Sequence, residues 1–174
     1  MNDYKRLNLG SGTDIRAGWV NLDRSALPGV DVVHDIEHLP LPFSDESFDY
    51  VLCQDVLEHI DYVPLLRDIW RIMRTGASLH IRVPHFTSSN AYGDPTHKRF
   101  FNSDTFGFFV VDNSRSYYFD FYFARMDALR IHFGPRAYLL LDWFVNLSRW
   151  TQVFYEASPL RVFPASNVEV TLVK

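Results

Sequence analysis

Apolar and polar residues follow one another along the first half of the chain in short runs that are typical of β-strands. The runs are bounded by glycine, proline and acidic residues, which favour turns. The fourth run, FDYVLCQD, is almost continuously apolar, as expected of a strand covered on both faces. The predicted strands are Arg6–Gly10, Gly18–Arg24, Val30–Ile36 and Phe48–Asp55.

A helical period replaces the strand pattern after the fourth run. Apolar residues between Asp61 and Gly76 recur at helical spacing, with Asp61 in the position of an N-terminal cap and Gly76 at the C-terminal stop. This pattern predicts an amphipathic helix that packs on the sheet. The run SLHIRVP then predicts a fifth strand, which ends at Pro84 because proline lacks the N–H of a continuing ladder.

The second half opens with a long polar and aromatic loop, HFTSSNAYGDPTHKRFFNSDTF. A loop of this length in a single domain is usually functional. The pattern then predicts a short helix around Thr105 to Val111 and a long strand within Tyr118 to Phe133. A helix from about Ala137 to Phe154 and a last strand, NVEVTLVK, complete the chain.

Strands that alternate with helices indicate an α/β fold with a doubly wound, mainly parallel sheet. The chain, 174 residues long and without repeats or linkers, is expected to form a single domain over residues 1–174. Ligands of such sheets bind outside the carboxyl ends of the strands. The residues that follow strand ends are Gly10 to Asp14, Asp23, Asp35, Cys53 to Asp55 and Pro84 to Phe86.

Charge and cysteine content narrow the functional classes. The formal net charge is only −4 and acids and bases are interspersed, so no nucleic-acid partner is expected. Cys53 is the single cysteine, which suits a reducing compartment and predicts a cytoplasmic protein. The N-terminus has no apolar leader, and the apolar segment Tyr138 to Leu147 is too short for a transmembrane span.

Aromatic residues make up 16% of the sequence and crowd its second half. Most are expected to fill the core, and Trp143, Trp150 and Tyr155, at near-helical spacing, are expected there too. The alternative for this aromatic region is a stacking surface for sugar rings, or a face that makes peripheral contact with a membrane or a partner. The sequence does not indicate an oligomeric state.

The turn after the first strand, LNLGSG, fits neither common phosphate-binding motif. A dinucleotide motif needs a third glycine where Ile15 stands and an acid about 20 residues on, whereas Asp23 comes sooner. No P-loop run exists, and the second strand follows too closely for a phosphate-binding helix. Gly10 and Gly12, with Asp23 and Asp35 after the next two strands, indicate a nucleoside-like ligand bound without a phosphate.

In this order and spacing, the segments LNLGSG, GWVNLD, HDIEHLPLPFSDESFDYVLCQDVLEHI, LLRDIWRIMRTGASLHIRVPHF and DPTHKRFF resemble class I S-adenosylmethionine-dependent methyltransferases. Within that group the chain is similar to a small branch associated with polysaccharide and other cell-surface glycan biosynthesis. The resemblance is good over about residues 5–110 and looser beyond. It implies a Rossmann-like, mainly parallel seven-stranded sheet with its last strand antiparallel, and here the helix after the first strand is shortened or absent.

The resemblance also implies roles for individual residues. It divides the domain into a cofactor-binding half, about residues 5–86, and a substrate side, about residues 87–174. The glycine turn would lie against the methionine part of the cofactor, Asp23 would hold the ribose, and Asp35 and Ile36 would lie beside the adenine. Asn8 departs from the family, many of whose members have an acid there. The implied cofactor-binding residues are Leu9, Gly10, Ser11, Gly12, Asp23, Asp35, Ile36, Cys53, Gln54 and Asp55.

Transfer of a methyl group to a hydroxyl requires a base, and histidine is the usual base near neutral pH. His85 directly follows the fifth strand, and the segment DPTH supplies Asp94 and His97. Asp94 could orient His97 as a base, and His59 is a further candidate. A divalent metal on His85, Asp94 and His97 is the alternative, but no metal is expected.

The sequence thus predicts an S-adenosylmethionine-dependent enzyme that O-methylates a saccharide or glycan precursor with a histidine base. The expected catalytic residues are His85, His97 and Asp94. One alternative is a catalytically silent cofactor-binding or regulatory partner in glycan synthesis. Another is a methyltransferase that acts on a small metabolite or a protein.

Overall fold

The computed structural model describes residues 5–111, 117–134 and 138–174. Its strands are β1 (Arg6–Leu9), β2 (Val20–Asp23), β3 (Val32–Val33), β4 (Phe48–Gln54), β5 (Met73–Pro84), β6 (Arg125–His132) and β7 (Asn167–Val173). Its α-helices are α1 (Tyr62–Ile72), α2 (Ser89–Gly93), α3 (Leu139–Val145) and α4 (Arg149–Ala157). Short 3-10 turns lie at Leu57–His59, Thr105–Phe109 and Pro159–Val162.

The described strands form one sheet in the order β3-β2-β1-β4-β5-β7-β6. Strands β1 to β5 pair in parallel, and β7 runs antiparallel to both β5 and β6. The predicted α/β sheet with its last strand antiparallel is therefore confirmed. The carboxyl ends of β1, β2, β3 and β4 lie side by side at one edge, because neighbouring parallel strands end together.

The boundary between α1 and β5 differs from the prediction. The helix ends at Ile72 and β5 follows at once, so Gly76 lies within the strand instead of closing the helix. Gly76 has a φ of 82°, and its N–H donates to the carbonyl of Lys174 at 2.8 Å, beyond the end of β7. Asp61 occupies the N-cap position of α1 without a capping hydrogen bond, because its carboxylate pairs with Arg99 at 3.2 Å.

The predicted C-terminal helix is divided into α3 and α4, and its predicted start at Ala137 lies outside the described residues. Two polar residues account for the break. The Asn146 side chain exchanges two hydrogen bonds with the backbone of Ile131 in β6, at 2.9 and 2.7 Å. Ser148 then caps α4 in a reciprocal pair of hydrogen bonds with Thr151. The break therefore attaches the helices to the outermost strand of the sheet.

The strand residues of the main core share one face of the sheet, because Leu7, Val51, Leu79 and Leu172 lie opposite one another on neighbouring strands. The same core includes Phe106, Phe109, Phe121 and Phe123. The helical aromatic residues behave differently from the prediction. Tyr155 is buried, but Trp143 and Trp150 are 64% and 69% exposed, since they lie on the outer side of α3 and α4. Within the described residues, no helix combines the length and apolar character needed to cross a bilayer.

The connection between β1 and β2 contains no helix, as predicted. Parallel neighbours are normally joined by a crossover of about a dozen or more residues, usually an α-helix. Here residues 10–19 make the connection as a series of turns. Because no helix packs on the sheet here, other contacts have to hold this loop in place.

Two buried asparagines provide these contacts. The Asn8 amide in β1 donates to the carbonyl of Asp14 at 2.6 Å and to the Asn21 side-chain oxygen at 3.2 Å. The same Asn21 oxygen accepts the N–H of Arg16 at 2.9 Å. The Asp31 carboxylate in turn accepts the backbone N–H and the side-chain amide of Asn21, at 2.8 and 3.0 Å. This Asn8–Asn21 network joins β1, the loop, β2 and the segment before β3.

Replacing Asn8 with aspartate should lower the free energy of unfolding by about 3 kcal/mol at neutral pH, because a buried carboxylate would face two oxygen acceptors. Such a carboxyl has a raised pKa in the folded protein. Stability should therefore be recovered as the pH falls towards about 4, where the protonated acid can donate. Urea unfolding followed by circular dichroism at several pH values measures both effects.

The control for this variant is Asp14→Ala, which removes an exposed carboxylate but keeps the backbone carbonyl that Asn8 binds. Its effect should stay below about 1 kcal/mol, as is usual for an exposed ion pair. An Asn8→Asp protein as stable as the native protein at pH 7 would contradict the role of the network.

Candidate functional site

A cavity of about 510 Å³, here called the strand-end cavity, lies at the carboxyl ends of the central parallel strands. This volume is in the range of pockets that bind cofactors and drug-sized ligands. Among the described residues, four carboxylates, one arginine, one lysine and one histidine line it, so the excess of acids favours a cationic ligand. The lining residues are Gly10, Asp23, Arg24, Asp35, Ile36, Glu37, Asp55, Val56, His59, Ile60, Pro95, Thr96 and Lys98.

The glycine turn after β1 is shaped by close packing and by backbone conformation. Gly10 has a φ of 67°, and a Cβ on it would lie 2.4 Å from Cγ2 of Val56. The turn is fastened to β2, because the Ser11 N–H donates to the Leu22 carbonyl at 2.9 Å. Leu9 and Ser11 are buried, and the Ser11 Oγ has no hydrogen-bond partner within the described parts of the chain.

Asp23 lies at the end of β2 with its carboxylate held in place. One oxygen accepts the N–H of Gly12 at 2.9 Å, and the other accepts the N–H of Ser25 at 2.8 Å. A carboxylate has about four acceptor positions, so two more donors can bind to it. Asp35, after β3, accepts the N–H of Glu37 at 3.0 Å. Both acids line the strand-end cavity. Their contacts with a ribose and an adenine stay a prediction.

The three predicted residues around the end of β4 have different positions. Cys53 is fully buried in the core, where burial raises the pKa of its thiol strongly, and it does not line the cavity. Gln54 accepts a hydrogen bond from Arg16 at 3.4 Å and is also absent from the cavity lining. Asp55 has a φ of 55°, pairs with Arg82 and lines the strand-end cavity.

A second opening of about 770 Å³, here called the loop cavity, adjoins the first and shares Asp55, His59 and Pro95 with it. The long loop after β5 forms one wall. Among the described residues, its lining contains carboxylate, imidazole and amide groups but no phenylalanine, tyrosine or tryptophan. The remaining lining residues are Glu58, Pro84, Asn90, Gly93, Asp94, His97 and Asn167.

Three side chains in the loop cavity, here called the Glu58 cluster, bring their polar atoms together. Glu58, His59 and His97 each offer one atom, and these atoms lie within 4.8 Å of one another. Glu58 is 1% exposed, and its Oε2 has no hydrogen-bond partner among the described residues. Burial raises the pKa of Glu58 to about 7. Burial and the neighbouring His97 lower the pKa of His59.

Asp94 and His97 both line the loop cavity, as expected of the DPTH segment. His97 Nε2 lies 3.8 Å from an Asp94 oxygen and 4.0 Å from Glu58 Oε1, which is beyond hydrogen-bonding distance. The other Asp94 oxygen accepts the backbone N–H and the hydroxyl of Thr96, at 2.8 and 2.6 Å. These two hydrogen bonds lower the pKa of Asp94.

His85 lies outside the lining of both cavities and is completely buried. Its Nδ1 accepts the N–H of Thr87 at 3.2 Å, so its proton is on Nε2, which is 3.0 Å from Glu156. Glu156 is buried, yet hydrogen bonds from His85 and Ser103 hold its pKa below the usual range. His85 thus connects the end of β5 to α4. This geometry does not support the prediction that His85 is a base.

Sequence reasoning missed Glu58, although its setting gave a signal. In the segment VLEHI, Glu58 stands among apolar residues and beside a histidine. Apolar neighbours indicate burial, and a glutamate is rarely buried unless it has a partner or a function. Thr96 was also missed, because its contribution depends on the way the loop folds back on His59.

Comparison with known proteins relates part of the sequence to a family and the fold to solved structures. Residues 6–81 match a family described as "Methyltransferase domain". An uncharacterized protein of Methanocaldococcus jannaschii is 47% identical over 45 residues, which span 26% of this chain and only 20% of that protein.

Solved structures resemble the chain over almost its whole length. A SAM-dependent methyltransferase from Archaeoglobus fulgidus has a TM-score of 0.63 at 19% identity, over 99% of this chain and 87% of that one. An S-adenosylmethionine-dependent methyltransferase from Mesorhizobium loti has a TM-score of 0.59 at 14% identity, over 98% and 90% of the two chains. At such identities the likeness establishes a shared fold.

The matched segment contains β1 to β4, α1 and most of β5, and therefore the strand ends that line the strand-end cavity. The family and the fold imply S-adenosylmethionine as the cofactor. The volume of this cavity, its excess of carboxylates and the fixed Asp23 carboxylate fit a cationic nucleoside of that kind. Residues 6–81 thus match a methyltransferase domain family, on a fold that the chain shares with S-adenosylmethionine-dependent methyltransferases.

Proposed function

We propose that this chain transfers a methyl group from S-adenosylmethionine to a hydroxyl of a polyhydroxylated acceptor, such as a saccharide or glycan precursor. The observation that carries the proposal is the junction of the two cavities. The strand-end cavity has carboxylates suited to a nucleoside, and it shares Asp55, His59 and Pro95 with the loop cavity, which has ionisable groups suited to an acceptor.

The residues of the strand-end cavity have distinct tasks in this proposal. Asp23 would accept the ribose hydroxyls, and Asp35 and Ile36 would contact the adenine. The turn from Gly10 to Gly12 would lie along the methionine part. When bound, the cofactor supplies a methyl group on a positively charged sulfur, which is a good leaving group. The chain therefore has to align the acceptor, and alignment alone can lower a barrier by about 7–11 kcal/mol.

The lining of the loop cavity favours a polar acceptor. Asn90, Asn167 and Asp94 offer hydrogen bonds of both kinds. Among the described residues, only the two imidazole rings could stack on a planar aromatic acceptor, because the lining has no phenylalanine, tyrosine or tryptophan. A small metabolite or a protein side chain is the second candidate class. Nothing in the lining selects it over a polyol.

The proton of the acceptor hydroxyl must leave as the new bond forms. Of the predicted histidines, His97 and His59 line the loop cavity, whereas His85 is engaged inside the protein. We therefore assign activation of the hydroxyl to the Glu58 cluster, with Asp94 beside it. His85 has the role of a structural link between β5 and α4.

Asp23→Asn should weaken the binding of S-adenosylhomocysteine at least tenfold, because the charged acceptor of the ribose hydroxyls is lost. The new amide group must also turn its NH2 towards the N–H of Gly12 or Ser25, so circular dichroism should confirm that the variant is folded. A hydrogen bond to a charged group contributes about 1.5–3 kcal/mol, which corresponds to roughly 10- to 150-fold. Isothermal titration calorimetry measures the change. Asp14→Asn, an exposed acid outside both linings, is the control and should bind like the native protein. Absence of binding to the native protein would overturn the proposed function.

His85→Gln and His97→Gln form a matched pair for turnover. With the best acceptor from a panel of sugar nucleotides and glycan precursors, His97→Gln should lower kcat about 100-fold or more. His85→Gln should mainly lower the melting temperature and keep most of the turnover. A folded His85→Gln protein that binds the cofactor normally but has lost turnover would return His85 to the mechanism. Cofactor binding without turnover of any acceptor in the panel would favour the catalytically silent module.

A further inference from the structure

We infer that the Glu58 cluster is a binding site for a divalent transition-metal cation, which holds and activates the acceptor hydroxyl. The inference rests on the proposed function for its catalytic meaning, but the cation site stands on its own geometry. Its ligands would be Glu58 and His59 from the turn after β4, and His97 from the loop after β5.

The spacing of the three groups is close to that of a metal site. Their candidate ligand atoms lie within 4.8 Å of one another. In a tetrahedral site with bonds of about 2.1 Å, ligand atoms lie roughly 3.4 Å apart. A closure of at most about 1.4 Å between these atoms would therefore bring them to the spacing of metal ligands. His97 belongs to an exposed loop segment that can make this movement, since its neighbours Pro95, Thr96 and Lys98 are all exposed.

Hydrogen bonds on the far side of both imidazoles fix the tautomers that a metal ligand needs. The Nδ1 of His97 lies 3.3 Å from the Ala91 carbonyl, which can only accept, so Nδ1 carries the proton and Nε2 keeps its lone pair. The Thr96 hydroxyl donates to Asp94, so it accepts the Nδ1–H of His59 at 2.8 Å. Metal-binding histidines are typically held by a second hydrogen bond of this kind.

Glu58 provides an independent indication. A carboxylate that is 1% exposed normally has all its oxygens satisfied, yet Oε2 has no partner in the described parts of the chain. Three acids, Glu58, Asp55 and Asp94, line the loop cavity. Arg82 forms its ion pair with Asp55, and among the described residues it makes no such direct pair with Glu58 or Asp94. A cation between Glu58 and the histidines would complete both the hydrogen-bonding capacity and the charge of this region.

The donor set selects the class of cation. Two imidazoles and one carboxylate suit Zn²⁺ and neighbouring first-row metals, whereas Mg²⁺ prefers oxygen ligands and retained waters. Three protein ligands leave at least one coordination position open, as in catalytic zinc sites. All three residues line the loop cavity, where the acceptor is proposed to bind.

The cation would change how the hydroxyl loses its proton. Oxygen bound to such a cation has a lowered pKa, so the O–H bond breaks and the proton passes to solvent water at the mouth of the loop cavity. The alkoxide electron pair then forms the O–CH3 bond as the S–CH3 bond breaks, and the electrons of that bond neutralise the sulfonium. The products are the methyl ether and S-adenosylhomocysteine, and the cation stays bound.

The test uses the whole chain, freed of any polyhistidine tag and dialysed against a chelator. Calorimetric titration with ZnCl2 should give one site with micromolar or tighter affinity, and MgCl2 should bind at least 100-fold more weakly. Addition of Co²⁺ should give the visible absorption of a low-coordinate nitrogen and oxygen site. Glu58→Gln and His97→Gln should each weaken Zn²⁺ binding at least tenfold.

The matched control is His132→Gln, which alters a histidine–glutamate pair elsewhere in the sheet and should leave Zn²⁺ affinity unchanged. Circular dichroism checks that each variant is folded. Absence of Zn²⁺ binding at 1 mM to the folded native protein, or affinity unaffected by both cluster variants, would overturn the cation site. Titration with S-adenosylhomocysteine separates the two proposals. A protein that binds S-adenosylhomocysteine but does not bind Zn²⁺ would defeat only the cation site. A protein that binds Zn²⁺ but does not bind S-adenosylhomocysteine would defeat only the proposed function.

Discussion

The hydrogen bonds between Asn8, Asn21 and the loop that joins their strands are the constraint on which the rest of this site depends. They let β1 and β2 lie side by side in parallel with a short connection and no crossover helix. In most parallel sheets, a helix that packs on the sheet connects two such strands and holds the connection in place. Here the side chains of Asn8 and Asn21 hold the connection in place instead. The amide N–H groups of Asn8 are needed because both of its partners are oxygen acceptors.

This arrangement determines the form of the strand-end cavity. The loop holds the glycine turn against β2, so that the Gly12 N–H reaches the Asp23 carboxylate. Because no helix N-terminus lies at this point, the site offers carboxylates and backbone groups in place of an anion-binding dipole. That balance suits a cationic nucleoside and disfavours a pyrophosphate. Asp55 and His59 also line the loop cavity, so the turn after β4 contributes to both cavities.

Much of the fold could be predicted from the sequence, because its strands are marked by local patterns. β1, β2, β4 and β7 lie where periodicity placed them, and the absence of a helix after β1 followed from the spacing of LNLGSG and GWVNLD. Gly76 was misread as a helix stop, because a glycine with positive φ serves a strand end as well as a helix end. The division of α3 from α4 depends on Asn146 binding β6, a contact between distant segments that no local pattern reports.

The site was predictable to a different extent on its two sides. Asp23 and Asp35 follow strands, so the topology alone brings them to one cavity. His85 also follows a strand, but the direction of its side chain is set by Glu156, 71 residues away, and it points into the interior. Glu58, His59 and His97 come together only because the loop after β5 returns to the end of β4. Sequence separation hid this cluster, although each member was visible as a polar residue.

The most direct test of the account is a crystal structure of the chain with S-adenosylhomocysteine bound. The account predicts the ribose hydroxyls on the Asp23 carboxylate and the adenine beside Asp35 and Ile36. The sulfur should lie near Asp55, facing the loop cavity and the Glu58 cluster. A ligand bound elsewhere, or one with its sulfur directed away from the loop cavity, would contradict the account.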